Sequence, residues 1–353
     1  MDKEWMDLAI KQAQKSWNQT QPNPAVGSII IKNGKVLSIG STQPAGGDHA
    51  EIQAIKNAGD KNLVDATMFV TLEPCNHRGK TPPCTNAIIN SGITKVVIGT
   101  KDLNSEVSGN GIKELQNAGI EVEQFDPNDE IAKMYKSFFY FCNNKKPYVT
   151  VKLAQSKNGC IAEPNKTPIQ ITSKESQVWV HNLRTQVDAI LVSGSTAKID
   201  NPLLDTRFSN FKYKKDPKKI ILNFKSNLPA DLKIFRSDKT DIIVFTKNKQ
   251  NLSEHIKQYI LPSDNFKSNF NFILEKLYQE SIHHLLIEPG AILIKNILDN
   301  NLFDDFYLFT SPKKIEDGYK WCGINDSKLE PIKKEKIGED SLETYKKTTC
   351  PQC

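Results

Sequence analysis

No apolar run in this sequence approaches the roughly 20 residues that a bilayer-spanning helix needs. The beginning, Met1-Asp2-Lys3-Glu4-Trp5, lacks the apolar core of a secretory signal peptide, so we expect a cytoplasmic protein with no membrane partner. Internal repeats and long low-complexity tracts are also missing. A composition of 38% hydrophobic and 25% charged residues then excludes the fibrous and disordered classes.

A dense basic stripe is missing as well, and the net charge at pH 7 is only +6. This modest excess suits a phosphorylated small molecule and does not indicate a nucleic-acid partner. Cysteines are few, seven in 353 residues, and a reducing compartment favours metal ligands or buried thiols over a disulfide framework. At about 150 residues per domain, the length predicts about two domains.

The first part of the chain has alternating patterns typical of an α/β domain. Asn33-Gly34 between two apolar runs predicts a hairpin of strands 25–32 and 35–40. Further apolar runs predict helices and strands in alternation, which is typical of crossover units around a mostly parallel sheet. The predicted helices are 3–17, 50–58, 83–91, 111–118 and 128–143, and the remaining strands are 66–72, 95–99 and 120–125.

The polar stretch Asn143-Asn144-Lys145-Lys146-Pro147 predicts a domain boundary, which divides the chain into domains 1–145 and 146–353. The second domain is also predicted to be α/β, with strands at 148–154, 189–193, 219–223, 241–246, 284–288 and 305–310. Two segments rich in Lys, Asn and Ser, residues 212–219 and 248–271, are predicted to be solvated loops or short surface helices.

One histidine and two cysteines form a candidate metal site. His49-Ala50-Glu51 opens a predicted helix, and the segment that carries Cys75 and Cys84 leads into another. This soft donor set favours zinc, and three protein ligands leave the fourth tetrahedral position open for a catalytic water. Glu51, close to the ligands in the sequence, can move protons to and from that water. We therefore predict one zinc ion per chain.

Each part of this pattern has a structural explanation when taken alone. A single His-x-Glu is most often a surface helix turn, and two spaced cysteines are usually buried thiols. The ordered combination is specific, because zinc deaminases that act on nucleobases have the same order with a shorter cysteine spacing. A nucleic-acid deaminase is therefore an alternative, but the wide cysteine spacing and the lack of aromatic residues along a basic groove argue against it.

The residues around this site carry a family resemblance. The run Thr71-Leu72-Glu73-Pro74-Cys75-Asn76-His77-Arg78-Gly79-Lys80-Thr81-Pro82-Pro83-Cys84, together with Pro22-Asn23-Pro24-Ala25-Val26-Gly27 and His49-Ala50-Glu51, closely resembles the bifunctional riboflavin-biosynthesis deaminase/reductase family. The resemblance implies a cytidine-deaminase-like α/β/α domain followed by a dihydrofolate-reductase-like α/β domain. It covers nearly the whole chain.

The resemblance implies two consecutive reactions on one phosphorylated pyrimidine. A zinc-dependent deaminase removes an amine from a diaminopyrimidinone ribosyl phosphate, and an NADPH-dependent reductase then converts the ribosyl group to ribityl. In the first domain it implies His49, Cys75 and Cys84 as zinc ligands, Glu51 as proton shuttle, and three substrate contacts, which are Asn23, His77 and Lys80.

In the second domain the resemblance implies NADPH contacts at Ala154, Thr196, Asp200 and Gly290, and substrate contacts at Arg184, Leu204, Arg207 and Glu288. Two of these segments also suit phosphates on their own chemistry. Gly194-Ser195-Thr196 is predicted to be a small-residue turn after a strand, and Gly290 precedes a predicted helix. A homo-oligomer formed through the reductase domain is expected as well.

Several positions depart from the family pattern. Thr42 replaces a common substrate-side histidine, Gln170 and Pro168 replace the tryptophan segment before Ile-Thr, and Asn201 and Asn158 replace aspartates. These changes leave open a second hypothesis, in which the chain is a deaminase with a degenerate scaffold reductase domain. Cys350 and Cys353 form a terminal Cys-x-x-Cys for which we predict no function.

Overall fold

The computed structural model describes residues 2–17, 19–76, 82–103, 108–125, 129–164, 169–212, 214–224, 227–236, 241–324 and 329–347. The chain divides into two compact units, residues 1–145 with 212–215, and residues 146–211 with 216–353. Among the predicted functional residues and the departures from the family pattern, His77, Lys80, Pro168, Cys350 and Cys353 lie outside the described part. Within that part, no helix is long and apolar enough to cross a membrane.

The first unit is built on a five-stranded sheet of order β2-β1-β3-β4-β5. Its strands are β1 (Gly27–Lys32), β2 (Lys35–Ser41), β3 (Thr67–Val70), β4 (Lys95–Ile98) and β5 (Glu121–Gln124). Its described helices are α1 (Asp2–Gln14), α2 (Ala50–Ala58), α3 (Cys84–Ser91), α4 (Asn110–Asn117) and α5 (Asp129–Asn144). β3, β4 and β5 are parallel, whereas β1 is antiparallel to both β2 and β3, so the sheet is mixed.

The predicted hairpin is confirmed. β1 and β2 pair antiparallel, and both turn residues have positive φ angles, 50° at Asn33 and 67° at Gly34. Positive φ at both central residues is what a type I′ turn requires, and its twist matches the twist of the paired strands.

Two glycines of this hairpin show that helices cover both faces of the sheet. A Cβ atom on Gly27 would lie 1.9 Å from the Ala9 carbonyl oxygen of α1, and one on Gly40 would lie 2.2 Å from the Ala50 oxygen of α2. Gly40 pairs with Ser28, the residue after Gly27. Adjacent pairs point to opposite faces, so α1 and α2 pack on opposite sides. This is the α/β/α arrangement expected from the family resemblance.

The second unit has a nine-stranded sheet of order β11-β10-β9-β8-β12-β6-β13-β16-β15. Its strands are β6 (Tyr148–Gln155), β8 (Ala189–Ser193), β9 (Lys218–Asn223), β10 (Ile242–Thr246), β11 (Lys257–Ile260), β12 (His284–Ile287), β13 (Asp305–Thr310), β15 (Leu329–Ile337) and β16 (Asp340–Lys347). The seven strands from β11 to β13 are parallel, and β16 and β15 add an antiparallel edge. β7 (Cys160–Ala162) and β14 (Tyr319–Lys320) form a separate pair.

The described helices of this unit are α6 (Lys174–Gln186), α7 (Gly194–Asp200), α8 (Phe266–Gln279) and α9 (Ala291–Asp299), and Lys233–Arg236 forms a 3-10 helix. Both faces of the parallel sheet are buried. Ala189 and Leu191 belong to one hydrophobic cluster, and Ile190 and Val192, which alternate with them, belong to another. Continuous apolar strands of this kind are typical of parallel sheets covered on both sides.

The prediction of solvated loops or short surface helices over residues 248–271 is wrong in two places, because this segment contains a strand and the beginning of a 14-residue helix that packs into the core. Lys257–Ile260 is an edge strand parallel to β10, and α8 begins at Phe266. This edge strand is poorly buried, with both end residues exposed and the two middle residues half-buried, so it carries no apolar run. In α8, polar residues occupy the solvent side while Phe270 and Ile273 are fully buried. Likewise Lys218, predicted to lie in a loop, begins β9, one residue before the predicted strand 219–223.

The predicted turn at Gly194–Thr196 is also wrong, because α7 begins there directly. Ser193 is its N-cap, and the Ser193 Oγ accepts a hydrogen bond from the Thr196 N–H. The signal was present in the sequence, since serine at the end of a strand is a favoured N-cap.

One buried carboxylate fixes the segment that leads to Cys75. Glu73, 4% exposed, accepts four backbone N–H groups: Asp102 and Gly109 at Oε2, and Gly111 and Ile112 at Oε1. Three of the four donors lie at the beginning of α4, where the helix dipole also favours a negative charge. The next residue, Pro74, sits so close to α4 that a Cβ on Gly111 would be 2.0 Å from its oxygen.

We predict that Glu73→Gln destabilises the first unit by about 2 to 4 kcal/mol, because an amide NH₂ cannot accept and leaves buried N–H groups without an acceptor. Hydrogen-exchange mass spectrometry across a urea series, followed on peptides of β3 and α4, reports unfolding of this unit. The matched control is Glu121→Gln on the exposed edge strand β5, where the ion pair with Lys95 is worth less than about 1 kcal/mol. Equal stability of the two variants would contradict the assignment.

Candidate zinc centre and reductase cavities

The structure brings His49, Cys75 and Cys84 together. Their donor atoms all lie within 4.8 Å of one another, and this is the one cluster of possible metal ligands found among the described residues. The His49 Nδ1 lies 3.6 Å from the Cys75 Sγ and 3.3 Å from the Cys84 Sγ. Zinc bonds of about 2.3 Å to sulfur and about 2.0 Å to nitrogen place such atoms about 3.5 Å apart at a tetrahedral angle. The three side chains therefore fit a zinc ion.

Helix beginnings position two of these ligands. His49 is the N-cap of α2, with extended backbone (φ −71°, ψ 163°), and Cys84 is the first residue of α3. The partial positive charge of a helix N-terminus favours thiolates. The Cys84 N–H also donates to the Cys75 Sγ at 3.5 Å. The hydrogen bond between the two sulfur atoms lowers the pKa of Cys75 to about 4 and raises the pKa of Cys84.

Glu51 lies beside the ligands in the first turn of α2 and is 4% exposed. Burial and the charge of Cys75 raise the pKa of Glu51 to about 7, and its side chain also contacts Cys84. The carboxyl group is thus held within the dry interior next to the three donors, where it can exchange a proton with a group bound at the metal.

The residues expected to contact the deaminase substrate are only partly described. Asn23 is half-buried in the turn before β1, and its backbone N–H donates to the Thr20 oxygen. Thr42, which replaces the family histidine, is 3% exposed, and its Oγ1 accepts from the Val26 N–H at 3.0 Å. Thr42 thus ties β2 to the segment before β1.

In the second unit the predicted residues line two cavities, of about 780 Å³ and about 340 Å³. Both volumes lie within the usual range for small-molecule sites. The larger cavity is lined by all four predicted cofactor residues and three of the predicted substrate residues: Ala154, Thr196, Asp200, Gly290, Arg184, Leu204 and Glu288. Arg207 lines only the smaller one, which shares Arg184, Asp200 and Leu204 with the larger.

A partly buried ion pair, with side chains 12% and 16% exposed, lies where the two cavities meet. The Arg184 Nε and Nη2 donate hydrogen bonds to the two carboxylate oxygens of Glu288, both at 2.9 Å. The Arg184 Nη1 donates to the backbone carbonyl oxygen of Asp205 at 3.1 Å. Burial alone would raise the pKa of Glu288, but the charges of Arg184 and Lys152 lower it to about 2. Glu288 is therefore a carboxylate at neutral pH, and Arg184 is held in one orientation.

Two residues beside this pair were missed in the sequence. Lys152 lines both cavities from β6, and burial lowers its pKa while the charge of Glu288 partly offsets that effect. Burial likewise lowers the pKa of His181 to about 4, so the imidazole facing the smaller cavity is neutral at pH 7. The available signal for Lys152 was that it is the one charged residue in the central strand Tyr148–Gln155.

Three residues of this unit that depart from the family pattern make hydrogen bonds to nearby backbone groups. Asn201 ends α7 in the left-handed region (φ 41°), and its Oδ1 accepts from the Lys233 N–H at 2.7 Å. Asparagine tolerates that conformation. The Asn158 Nδ2 donates a hydrogen bond to the Ile315 carbonyl oxygen, and the Asn158 Oδ1 accepts one from the Ile315 N–H. Gln170 lines both cavities, and its Nε2 donates to the Thr172 oxygen.

Comparisons with known proteins agree with this geometry. Residues 1–100 match the cytidine and deoxycytidylate deaminase zinc-binding region, and residues 147–341 match the RibD C-terminal domain. The riboflavin biosynthesis protein RibD of Aquifex aeolicus is 37% identical over 98% of this chain and 99% of its own length. The RibD protein of Escherichia coli is 31% identical over 89% of this chain and 88% of its own.

Solved structures agree as well. A diaminohydroxyphosphoribosylaminopyrimidine deaminase/5-amino-6-(5-phosphoribosylamino)uracil reductase from Thermotoga maritima superposes with a TM-score of 0.85 at 33% identity, covering 98% of each chain. RibD of Acinetobacter baumannii gives a TM-score of 0.84 at 29% identity over 99% of each chain. The predicted resemblance, the two folds and the zinc and NADPH dependence are confirmed, and neither alternative hypothesis gains support. The chain therefore belongs to the family of bifunctional riboflavin-biosynthesis deaminase/reductases, which join a zinc-dependent deaminase to an NADPH-dependent reductase.

Proposed function

We propose that this chain deaminates 2,5-diamino-6-ribosylamino-4(3H)-pyrimidinone 5′-phosphate and then reduces the product to 5-amino-6-ribitylaminouracil 5′-phosphate. The observation that carries the proposal is that one chain holds both a His49/Cys75/Cys84 cluster and a cavity lined by the expected reductase residues. The Thermotoga maritima relative, described by the same two activities, supports this choice of substrates.

In the deaminase, His49, Cys75 and Cys84 hold the zinc. A zinc ion with these ligands supplies Lewis-acid activation of water. Glu51 would accept a proton from the attacking water and donate it to the leaving amine, so that the carbon would gain a carbonyl oxygen as ammonia departs. The position of the buried Glu51 beside both cysteines supports this role. Asn23, His77 and Lys80 are proposed to bind the substrate, with Lys80 as the counter-charge to its phosphate.

In the reductase, the larger cavity takes NADPH and the smaller one takes the ribosyl phosphate. NADPH supplies a hydride, and the protein supplies position and exclusion of water. Ala154, Thr196, Asp200 and Gly290 are proposed to contact the cofactor, and Gly290 lets a phosphate approach the beginning of α9 without a side chain between them.

The substrate side of the reductase is rich in fixed charges. Arg184, held by Glu288, and Arg207 are proposed to bind the substrate, with Leu204 and Glu288 completing its contacts. Because burial lowers the pKa of Lys152, its ammonium is a better acid than that of an ordinary lysine and can supply the proton that accompanies the hydride. On the family resemblance we also propose a cytoplasmic location and a homo-oligomer formed through the reductase domain.

We predict that Glu51→Gln keeps the zinc but lowers the rate of ammonia release at least about 100-fold, the usual effect of removing a general acid/base. Zinc content by elemental analysis and ammonia release are measured on the same sample. NADPH-dependent reduction of the deaminated product is the internal control and stays unchanged. Near-normal deamination by the variant would remove Glu51 from the mechanism.

For the reductase we predict that Arg207→Ala lowers kcat/KM for the ribosyl phosphate by roughly 10-fold to 100-fold, the range for losing a hydrogen bond to a charged group. Most of the loss is expected in KM, with NADPH binding unchanged, because Arg207 lines only the smaller cavity. Arg236→Ala is the matched control, an exposed arginine outside both cavities. The role of Arg207 is wrong if both variants behave like the wild type.

A further inference from the structure

The cations of the larger cavity fall into two groups. Among the described residues that line it, four are lysine or arginine: Lys152, Arg184, Lys198 and Lys247. Lys152 and Arg184 also line the smaller cavity, and both interact with Glu288. Lys198 and Lys247 line only the larger cavity, outside the part that it shares with the smaller one.

The strand order sets the distance between these groups. Lys152 lies in β6, and Lys247 directly follows β10. The order β10-β9-β8-β12-β6 places four strand spacings between them, or about 19 Å at roughly 4.8 Å each. The cavity therefore crosses the sheet from strand to strand, and Lys247 lies at its far end.

The reaction orients a dinucleotide in this cavity. Hydride transfer requires the nicotinamide to lie at the end shared with the smaller cavity, so the adenosine half must lie toward β9 and β10. Two aromatic rings line the cavity there: Phe224 directly follows β9, and its ring centroid lies 6.2 Å from that of Phe266. Such rings suit an adenine base. The 2′-phosphate that distinguishes NADPH from NADH is on the adenosine ribose.

We propose that Lys247 binds the 2′-phosphate of NADPH, and that the Lys247/Asp264 pair sets the preference of this chain for NADPH over NADH. This inference rests on the proposed reductase activity and adds a residue responsible for cofactor choice. Lys198 is the less suitable cation, because α7 follows β8, two strands nearer the nicotinamide end than β10.

Lys247 forms a weak, exposed ion pair with Asp264. The Lys247 Nζ contacts the Asp264 Oδ1, and the side chains of Lys247 and Asp264 are 42% and 91% exposed. Exposed ion pairs contribute little to stability, and an ammonium has three donors, so Lys247 can bind a phosphate while Asp264 moves away. The negative charge of Asp264 then repels the phosphate. Removing the charge of Lys247 should therefore weaken NADPH binding, whereas removing the charge of Asp264 should strengthen it.

The experiment measures dissociation constants of NADPH and NADH for the full chain by fluorescence titration, with no turnover required. Lys247→Gln is expected to weaken NADPH binding by about 10-fold or more, and NADH binding by less than about 2-fold. Asp264→Asn is expected to strengthen NADPH binding roughly 2-fold to 5-fold with NADH unchanged. Both effects on NADPH shrink as salt is raised, because they are electrostatic.

Two control variants accompany these. Lys257→Gln removes a similar exposed ion pair, that with Glu280 on the edge strand, and is expected to leave both dissociation constants unchanged. Lys198→Gln removes the other cation of the same part of the cavity and is expected to leave the ratio of the two constants unchanged.

Three results would overturn the proposal. The first is that Lys247→Gln weakens the binding of both cofactors equally or of neither. The second is that Lys198→Gln, and not Lys247→Gln, changes the ratio of the two dissociation constants. The third is that the wild type binds NADPH and NADH equally well. In each of these cases the reductase assignment survives. A wild-type chain that binds neither dinucleotide would instead overturn the proposed reductase and this inference together.

Discussion

The buried Glu73 carboxylate is the interaction on which the zinc centre depends. A charge in a protein interior is tolerated only when hydrogen bonds replace its lost hydration, and four backbone N–H groups do so here. Meeting that requirement brings the beginning of α4 against Pro74 and fixes the segment that carries Cys75. In the second unit the lost hydration of the Glu288 carboxylate is likewise replaced, here by two hydrogen bonds from the Arg184 guanidinium. In both units a compensated carboxylate holds the backbone or side chain that the chemistry needs.

Much of the fold could be predicted because the determining signals are local. The hairpin at Asn33-Gly34 needs two positive φ angles, and the central strands of the second unit are continuous apolar runs. The failures occurred where local signals are weak. β11 is an edge strand with little burial, and α8 buries a narrow face among many Lys, Asn and Ser residues. Neither pattern differs enough from that of a surface loop.

The candidate sites divide in the same way. His49, Glu51, Cys75 and Cys84 could be identified from the sequence because metal ligation demands particular residue types in a particular order. Lys152 and His181 could not, because their chemistry arises from burial, and burial depends on strands and helices distant in the sequence. The effect of substitutions such as Asn201 was equally hidden, since only the structure shows its side chain accepting the Lys233 N–H.

We propose that this chain carries out two consecutive reactions at two chemically different sites. The most direct measurement is mass spectrometry of the products formed when the purified chain is given the diaminopyrimidinone ribosyl phosphate with and without NADPH. We expect deaminated product and ammonia without NADPH, and a product carrying two further hydrogens when NADPH is present. Prior removal of zinc abolishes the first reaction and leaves the second intact when deaminated product is supplied. Deamination without any reduction at saturating NADPH would exclude a working reductase in this chain.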